Sequence, residues 1–258
     1  MKFRKNMFLE VSTQRISGIE FSKHTLLNRA INIAKGNSYY KDSQNIKDFK
    51  IDIKNKNLYV LVEGETVYIK LVTLPIVKKH LINDMIKNEL RYYYKDINNI
   101  AFTYKLIKKD KFNMEILVFC IKGNNLDILE NSISNNVNLK KVNLIQFCFK
   151  NYYESKINVK NYILVFYYNC NLYFLICSNN EIVANSIINV KELPLFKFSS
   201  VMNEFLELYN DYAKLCEKIY YANIKELNLE EFKYIALPHQ ILDELKREEF
   251  LKYIIVKG

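Results

Sequence analysis

Glycine and proline are scarce in this chain: 258 residues hold 5 Gly and 3 Pro, and there is no Trp. Average usage is about 7% Gly and about 5% Pro, so collagen-like repeats and Gly/Pro-rich linkers are excluded. The same scarcity leaves little material for loops that bring bare backbone against phosphate, because such loops need residues without a Cβ. Long apolar runs are also missing. The longest, Tyr162 to Tyr168 and Leu172 to Cys177, are strand-sized and fall far short of the roughly 20 residues of a membrane-spanning helix. The opening MKFRKNMFLEVST has a basic end with no apolar stretch behind it, so it is not expected to act as a secretory signal, and a soluble intracellular protein is anticipated.

Chemistry-bearing clusters are thin as well. Cys120, Cys148, Cys170, Cys177 and Cys216 form an odd, scattered set without a C-x-x-C pair. Most lie in apolar strand-like runs, which predicts buried reduced thiols rather than zinc ligands or a redox pair. His24, His80 and His239 stand far apart with no Cys or carboxylate at ligand spacing, so no metal is expected. Glu230-Glu231 and Glu248-Glu249 read as solvated helix charge, and no Gly-x-Ser-x-Gly occurs.

What is present is apolar and basic. Half the residues are hydrophobic and 14% aromatic, enough for a packed core; 38 Lys and Arg against 28 Asp and Glu leave a net charge of +10. That excess fits nucleic acid, an anionic membrane surface or an acidic protein, but it is spread along the chain in short clusters such as Lys78-Lys79 and Lys108-Lys109. Abundant Lys, Asn, Ile and Tyr are equally the composition that AT-rich coding produces. Arg91-Tyr92-Tyr93-Tyr94-Lys95 interleaves cations and aromatics as single-strand stacking platforms do, yet it also suits a helix end with packed Tyr and cations near the negative dipole end.

Periodicity predicts a strand meander over Met7 to Ser12, Arg15 to Phe21 and Leu27 to Lys35, closed by Gly36-Asn37. Strands follow at Asn57 to Glu63 and Thr66 to Leu74, ended by Pro75, which cannot donate to a ladder. Ile76 to Lys95 carries helical apolar spacing. Further elements are strands Ile100 to Ile107 and Met114 to Ile121, a helix at Leu126 to Ser134, strand Lys140 to Ile145 and a helix from Gln146. A second meander spans Tyr162 to Tyr168, Leu172 to Cys177 and Glu181 to Ile188. Beyond it come a long helix over Ser199 to Tyr221, strand Tyr234 to Leu237, helix Gln240 to Glu249 and strand Tyr253 to Val256. The plan of meander, helix and strand occurs twice.

Three stretches carry a family resemblance. The first is Phe8-Leu9-Glu10-Val11-Ser12 through Gly18-Ile19-Glu20-Phe21. The second is Leu58 to Val62, then Val67 to Leu74-Pro75, then the helix with Ile86 and Glu89. The third is Ile182 to Ile187 with the later Glu204, Leu206, Tyr209 helix. Together they resemble the PilM and GspL pilus-assembly and secretion proteins, which are akin to FtsA and have the actin-like ATPase fold. The resemblance implies an α/β actin-like fold of two lobes, each a meander plus helices, with an inserted α/β module: residues 1–64 and 138–160 as lobe I, 65–137 as the module and 161–258 as a trimmed lobe II. Only Val190 to Phe198 separate the second meander from its helix, so the family's usual second insertion is reduced or missing.

Nucleotide-binding members carry Asp-x-Gly and a Lys in the first hairpin, where this chain has Glu10, Ser12 and Ser17. The second phosphate hairpin reads Tyr168-Asn169-Cys170-Asn171, Asn185 stands where the family often has Arg, and Ala236-Leu237-Pro238-His239 replaces a late Gly-Gly turn. The resemblance therefore implies a member with no bound nucleotide or other cofactor and no hydrolysis of its own. It further implies a cytoplasmic scaffold at the inner face of the cell membrane, holding the N-terminal tail of a PilN-like membrane protein and coupling it to a motor ATPase. The tail would bind between lobe I and the module, with Tyr68, Lys70, Arg91 and Tyr92 as candidate contacts. A divergent ATPase using Glu10, and a basic nucleic-acid binder, stand as alternatives.

Overall fold

The computed structural model of the chain describes residues 4–12, 16–23, 31–41, 53, 55–64, 67–94, 97–98, 100–122, 137–190, 198–224 and 237–257. The predicted helix at Leu126 to Ser134 lies outside them, as do all but Leu237 of the predicted strand Tyr234 to Leu237 and all but the end residues of Val190 to Phe198, the stretch on which the trimmed insertion was read.

The chain begins with β1 (Lys5–Val11), β2 (Ile16–Lys23) and β3 (Ile31–Lys41), an antiparallel meander in which β3 runs past Gly36-Asn37 rather than closing there. Strands β4 (Lys56–Val62) and β8 (Asn138–Leu144) add in parallel on the other side of β1, giving the five-stranded order β3-β2-β1-β4-β8. Met7, Phe8, Leu9 and Val11 on β1 are all buried, the near-continuous apolar run of a strand covered on both faces.

The segment read from the sequence as the inserted module comprises β5 (Val67–Pro75), α1 (Lys79–Tyr93), β6 (Ile100–Lys109) and β7 (Asn113–Lys122). On α1, Ile82, Ile86 and Leu90 recur every four residues, so they form one buried stripe, which packs on Val72 and Leu74 of β5 and Met114, Ile116 and Val118 of β7. Each such aliphatic side chain contributes about 2 kcal/mol on burial. The opposite face of the same strands, with Val67, Ile69 and Leu117, belongs to the core shared with lobe I.

Lobe II supplies β9 (Tyr162–Tyr168), β10 (Asn171–Ser178) and β11 (Glu181–Asn189), then β12 (Lys218–Ala222) and β13 (His239–Ile241). These strands and the module's share one eight-stranded sheet, β13-β12-β9-β10-β11-β5-β7-β6. Its seam is thin: the β11–β5 ladder holds one pair, Ala184↔Lys70. The Asn185 side chain reinforces it, its Oδ1 accepting from the Ile69 N–H at 2.8 Å and its Nδ2 donating to the Val67 carbonyl at 3.3 Å.

Asparagine does the work of the missing glycine. Among the described residues the left-handed region is occupied by Asn55, Asn169, Cys170, Asn179, Asn180, Asn223 and one glycine, Gly64. Two consecutive left-handed residues make the tight turn that matches strand twist, and Asn169-Cys170 and Asn179-Asn180 close the β9–β10 and β10–β11 hairpins in this way.

Helices α2 (Ile145–Tyr153), α3 (Phe198–Leu208), α4 (Asn210–Ala213) and α5 (Arg247–Val256) complete the description. The long helix expected over Ser199 to Tyr221 breaks at Tyr209, and Lys218–Ala222 is strand β12, paired in parallel with β9. Helical spacing continues through that segment, but a buried slot beside β9 favours the β-branched and aromatic run Ile219-Tyr220-Tyr221. The C-terminal order is also reversed. His239–Ile241 is a strand, and Arg247–Val256, including the predicted strand Tyr253 to Val256, is helix α5. Phe250, Leu251, Ile254 and Ile255 are buried at helical spacing, with Glu248 and Glu249 in the first turn where they favour the positive dipole end.

Candidate functional site

In open α/β sheets, ligands bind at the carboxyl ends of the parallel strands. Here β1, β4 and β8 end together, with Val11 opposite Val62 and Val62 opposite Leu144. Glu10, Ser12, Ser17 and Glu63 lie there, all buried, and the β9–β10 hairpin of lobe II faces them.

The crevice between the lobes is filled by mutually bonded side chains. Glu10 is 2% exposed. Its carboxylate accepts from Ser17 Oγ at 2.8 Å, from Tyr168 Oη at 2.5 Å and from Arg247 Nη2 at 2.6 Å. Burial, followed by the negative charges of Glu10 and Glu63, pushes the Tyr168 hydroxyl far above its ordinary range, so it stays protonated and acts as a donor. Beside it, Asn169 Nδ2 donates to both Glu63 oxygens at 2.9 Å, and the Gly64 N–H donates to Tyr173 Oη at 2.9 Å. A Cβ added at Gly64 would meet Ser12 Cβ at 3.6 Å, and the φ of +93° would be strained for any other residue. Under the polar layer the rings of Phe149, Phe166 and Tyr173 stack, with centroids 3.9 Å and 4.5 Å apart.

The second crevice is open and apolar. Ala101, Phe102 and Thr103 of β6, Phe119 and Ile121 of β7, Val142 and Leu144 of β8 and Phe147 of α2 line a groove of about 450 Å³ between module and lobe I. Phe119 and Phe147 meet edge-to-face across it at 5.4 Å. Its two rims are the terminal strands of the two sheets among the described residues, β6 and β8.

The sequence candidates divide between these places. Glu10, Ser12 and Ser17 meet in the inter-lobe crevice as the sequence reading grouped them, whereas Asn185 bonds at the β5–β11 seam. Tyr68 and Lys70 lie on the α1 face of the module, the face opposite to the groove, in a small crevice with Glu89 and Leu90. Lys70 pairs with Glu89 at 3.6 Å, and desolvation holds its ammonium below the usual lysine range. Tyr68 meets Tyr94 edge-to-face at 5.9 Å. Arg91 donates to Asn88 on the α1 surface, and Tyr92 is exposed. The groove instead is lined by residues of β6, β7, β8 and α2 and by none of β5. Sequence reading missed Arg247, Glu63 and the groove residues. Apolar residues on both faces of β7 were the available signal, since a strand apolar on both faces is covered on both.

Burial pushes the thiols of Cys120, Cys148 and Cys177 up to about 12, so they are unreactive at neutral pH. Among the described residues, no three of His, Cys, Asp and Glu converge as metal ligands, and no helix is long and apolar enough to cross a membrane.

No protein-family model and no curated protein matches the chain. Among solved structures it is similar to the PilM–PilN type IV pilus biogenesis complex, at 8% identity, covering 96% of this chain and 94% of that one, with a TM-score of 0.63. It is similar to the cytoplasmic domain of EpsL, an inner-membrane component of the type II secretion system of Vibrio cholerae, at 9% identity, 98% and 95% coverage and a TM-score of 0.61. It is also similar to a Bacteroides thetaiotaomicron protein of actin-like ATPase fold and unknown function, at 10% identity, 96% and 95% coverage and a TM-score of 0.59. The chain thus has the actin-like ATPase fold shared by PilM and the EpsL cytoplasmic domain, as the opening hairpin and the Leu74-Pro75 helix implied.

Proposed function

We propose that this protein is a non-hydrolysing adaptor of a pilus or secretion assembly at the inner face of the cell membrane, which grips the extended cytoplasmic tail of a PilN-like membrane protein. The observation that carries the reading is the groove framed by β6 and β8. A terminal strand offers unpaired backbone donors and acceptors, and an incoming strand that uses them places alternate side chains on the apolar floor. Phe119, Ile121 and Phe147 provide that floor. The likeness to PilM in its complex with PilN supports a tail of this kind as the occupant. Coupling of the held tail to a motor ATPase belongs to the same proposal.

The absence of hydrolysis rests on the inter-lobe crevice. A nucleotide there would have to displace Arg247 and Tyr168 from Glu10 and leave buried polar groups unpaired, each at about 1–3 kcal/mol. Titration calorimetry with a synthetic PilN-like tail peptide should give saturable binding, and thermal denaturation with Mg-ATP should show no stabilisation. Absence of peptide binding would remove the adaptor reading, and a rise of several degrees with Mg-ATP would restore the reading of a divergent ATPase using Glu10.

A further inference from the structure

At the other end of β6 and β7 from the groove, the two strands turn through Asp110, Lys111 and Phe112. The turn is firmly built. The Asp110 carboxylate accepts from the Phe112 and Asn113 N–H groups at 2.8 Å and 2.7 Å, and these bonds hold it below the usual carboxylate range. The Ile76 N–H donates to the Phe112 carbonyl at 3.0 Å, tying the tip to the segment that enters α1. Phe112 at the apex is 71% exposed, and Ile76, which bonds it, Ile107 and Leu106 further back along β6, and Leu81 in the first turn of α1 are also exposed. Among them stand the exposed Lys78, Lys79, Lys108, Lys109 and Lys111, against Asp110, Glu115 (cross-strand from Lys108) and Asp84. Lysines alone would be explained by protection of a terminal strand. An apical phenylalanine flanked by aliphatics would not.

We propose that this tip, with the start of α1, docks directly on an anionic lipid bilayer, Phe112 entering the headgroup–acyl boundary while the lysines meet the phosphates. Apolar side chains gain area by leaving water, and lysine stems reach along apolar surface while the ammonium stays solvated beside anionic headgroups. A nucleic acid would reward the lysines but not Leu106, Ile107 and Phe112. This lipid contact goes beyond the adaptor reading and needs no protein partner.

The chain contains no Trp, so Phe112→Trp creates a single fluorescent reporter at the tip. With full-length protein, its emission should shift to the blue on mixing with phosphatidylcholine–phosphatidylglycerol vesicles and stay unchanged with phosphatidylcholine alone. In vesicle sedimentation, Lys108→Gln, Lys109→Gln and Lys111→Gln should each weaken partitioning about fivefold, and Phe112→Ser about tenfold, with melting temperature unchanged because all are exposed. An unshifted emission, sedimentation indifferent to Phe112→Ser, or binding of duplex DNA without binding of vesicles would overturn the proposal. These variants leave the groove untouched, so peptide affinity measured on the same samples tests the adaptor reading separately.

Discussion

The two crevices of this molecule are built from opposite materials. Between the lobes, Glu10, Glu63, Ser17, Tyr168, Asn169 and Arg247 satisfy one another, and the space closes. Between lobe I and the module, the described lining is apolar apart from Thr103, with Phe119, Ile121, Val142, Leu144 and Phe147 as its main surface, and the space stays open. A buried carboxylate demands partners, and when the chain itself provides them no ligand is required. An apolar groove bordered by terminal strands makes the reverse demand. The contrast teaches that one fold can hold two crevices, one satisfied by its own side chains and one left with bare apolar walls.

Removing Arg247 attacks the closed side most directly. Arg247→Ala leaves Glu10 buried with only hydroxyl donors, and should lower the unfolding free energy in urea by about 3 kcal/mol, the lower part of the range for a broken buried pair because the arginine is 40% exposed. An unaltered midpoint would mean that the crevice is not held by this pair. Asn185→Ala strands the Ile69 N–H at the sheet seam and should lower stability by about 2 kcal/mol, with hydrogen exchange rising first in β5 and β11. On the open side, Ala101→Trp should fill the groove without disturbing the core, weakening tail-peptide affinity about tenfold at constant melting temperature. If both crevices answered this substitution equally, the contrast would fail.

The smallest effect concerns acid. Lys56 holds the Glu20 carboxyl below its ordinary value, chiefly through a 2.5 Å hydrogen bond, against an opposing effect of burial. The stabilisation from a carboxylate whose folded pKa is lowered is present above the unfolded value of about 4.5 and is lost as pH falls through the folded one. Glu20→Gln should therefore reduce stability by about 1 kcal/mol at pH 7 and leave it nearly unchanged at low pH, read from urea midpoints across the acid range.

Much of the fold was legible in the sequence because its strands are short, apolar and punctuated: β9, β10 and β11 lie within a residue of their expected bounds, and Pro75 ends β5. The C-terminal third was less so. Tyr212, Leu215 and Ile219 continue a helical stripe, yet the slot beside β9 makes a strand of Lys218–Ala222, a preference that exists only after the sheet has formed. The inter-lobe site was half legible. Departures from a phosphate-binding pattern at Glu10, Ser12 and Ser17 can be read locally, but Arg247 lies 237 positions from Glu10, and no spacing rule reaches across that distance. The groove escaped because its lining joins β6 and β7 to β8 and α2, which lie some twenty or more positions further along the chain. Tyr68 and Lys70 differ from Ile69 and Leu71 by one step of the pleat, and that step decides between the helix side and the lobe side.

The splice at Asn185 has a mechanical meaning. A tether seated along β6 would pull on the outermost rung of a sheet that continues through β7 and β5 into lobe II, so tension would spread over whole ladders loaded in parallel rather than over one loop. Along that route the junction with one backbone pair and one side-chain amide is the weakest rung. Beneath that junction Ile69 and Leu117 share a core with Tyr173, Leu175 and Ile182, so apolar packing across the seam, more than its backbone ladder, would carry the load.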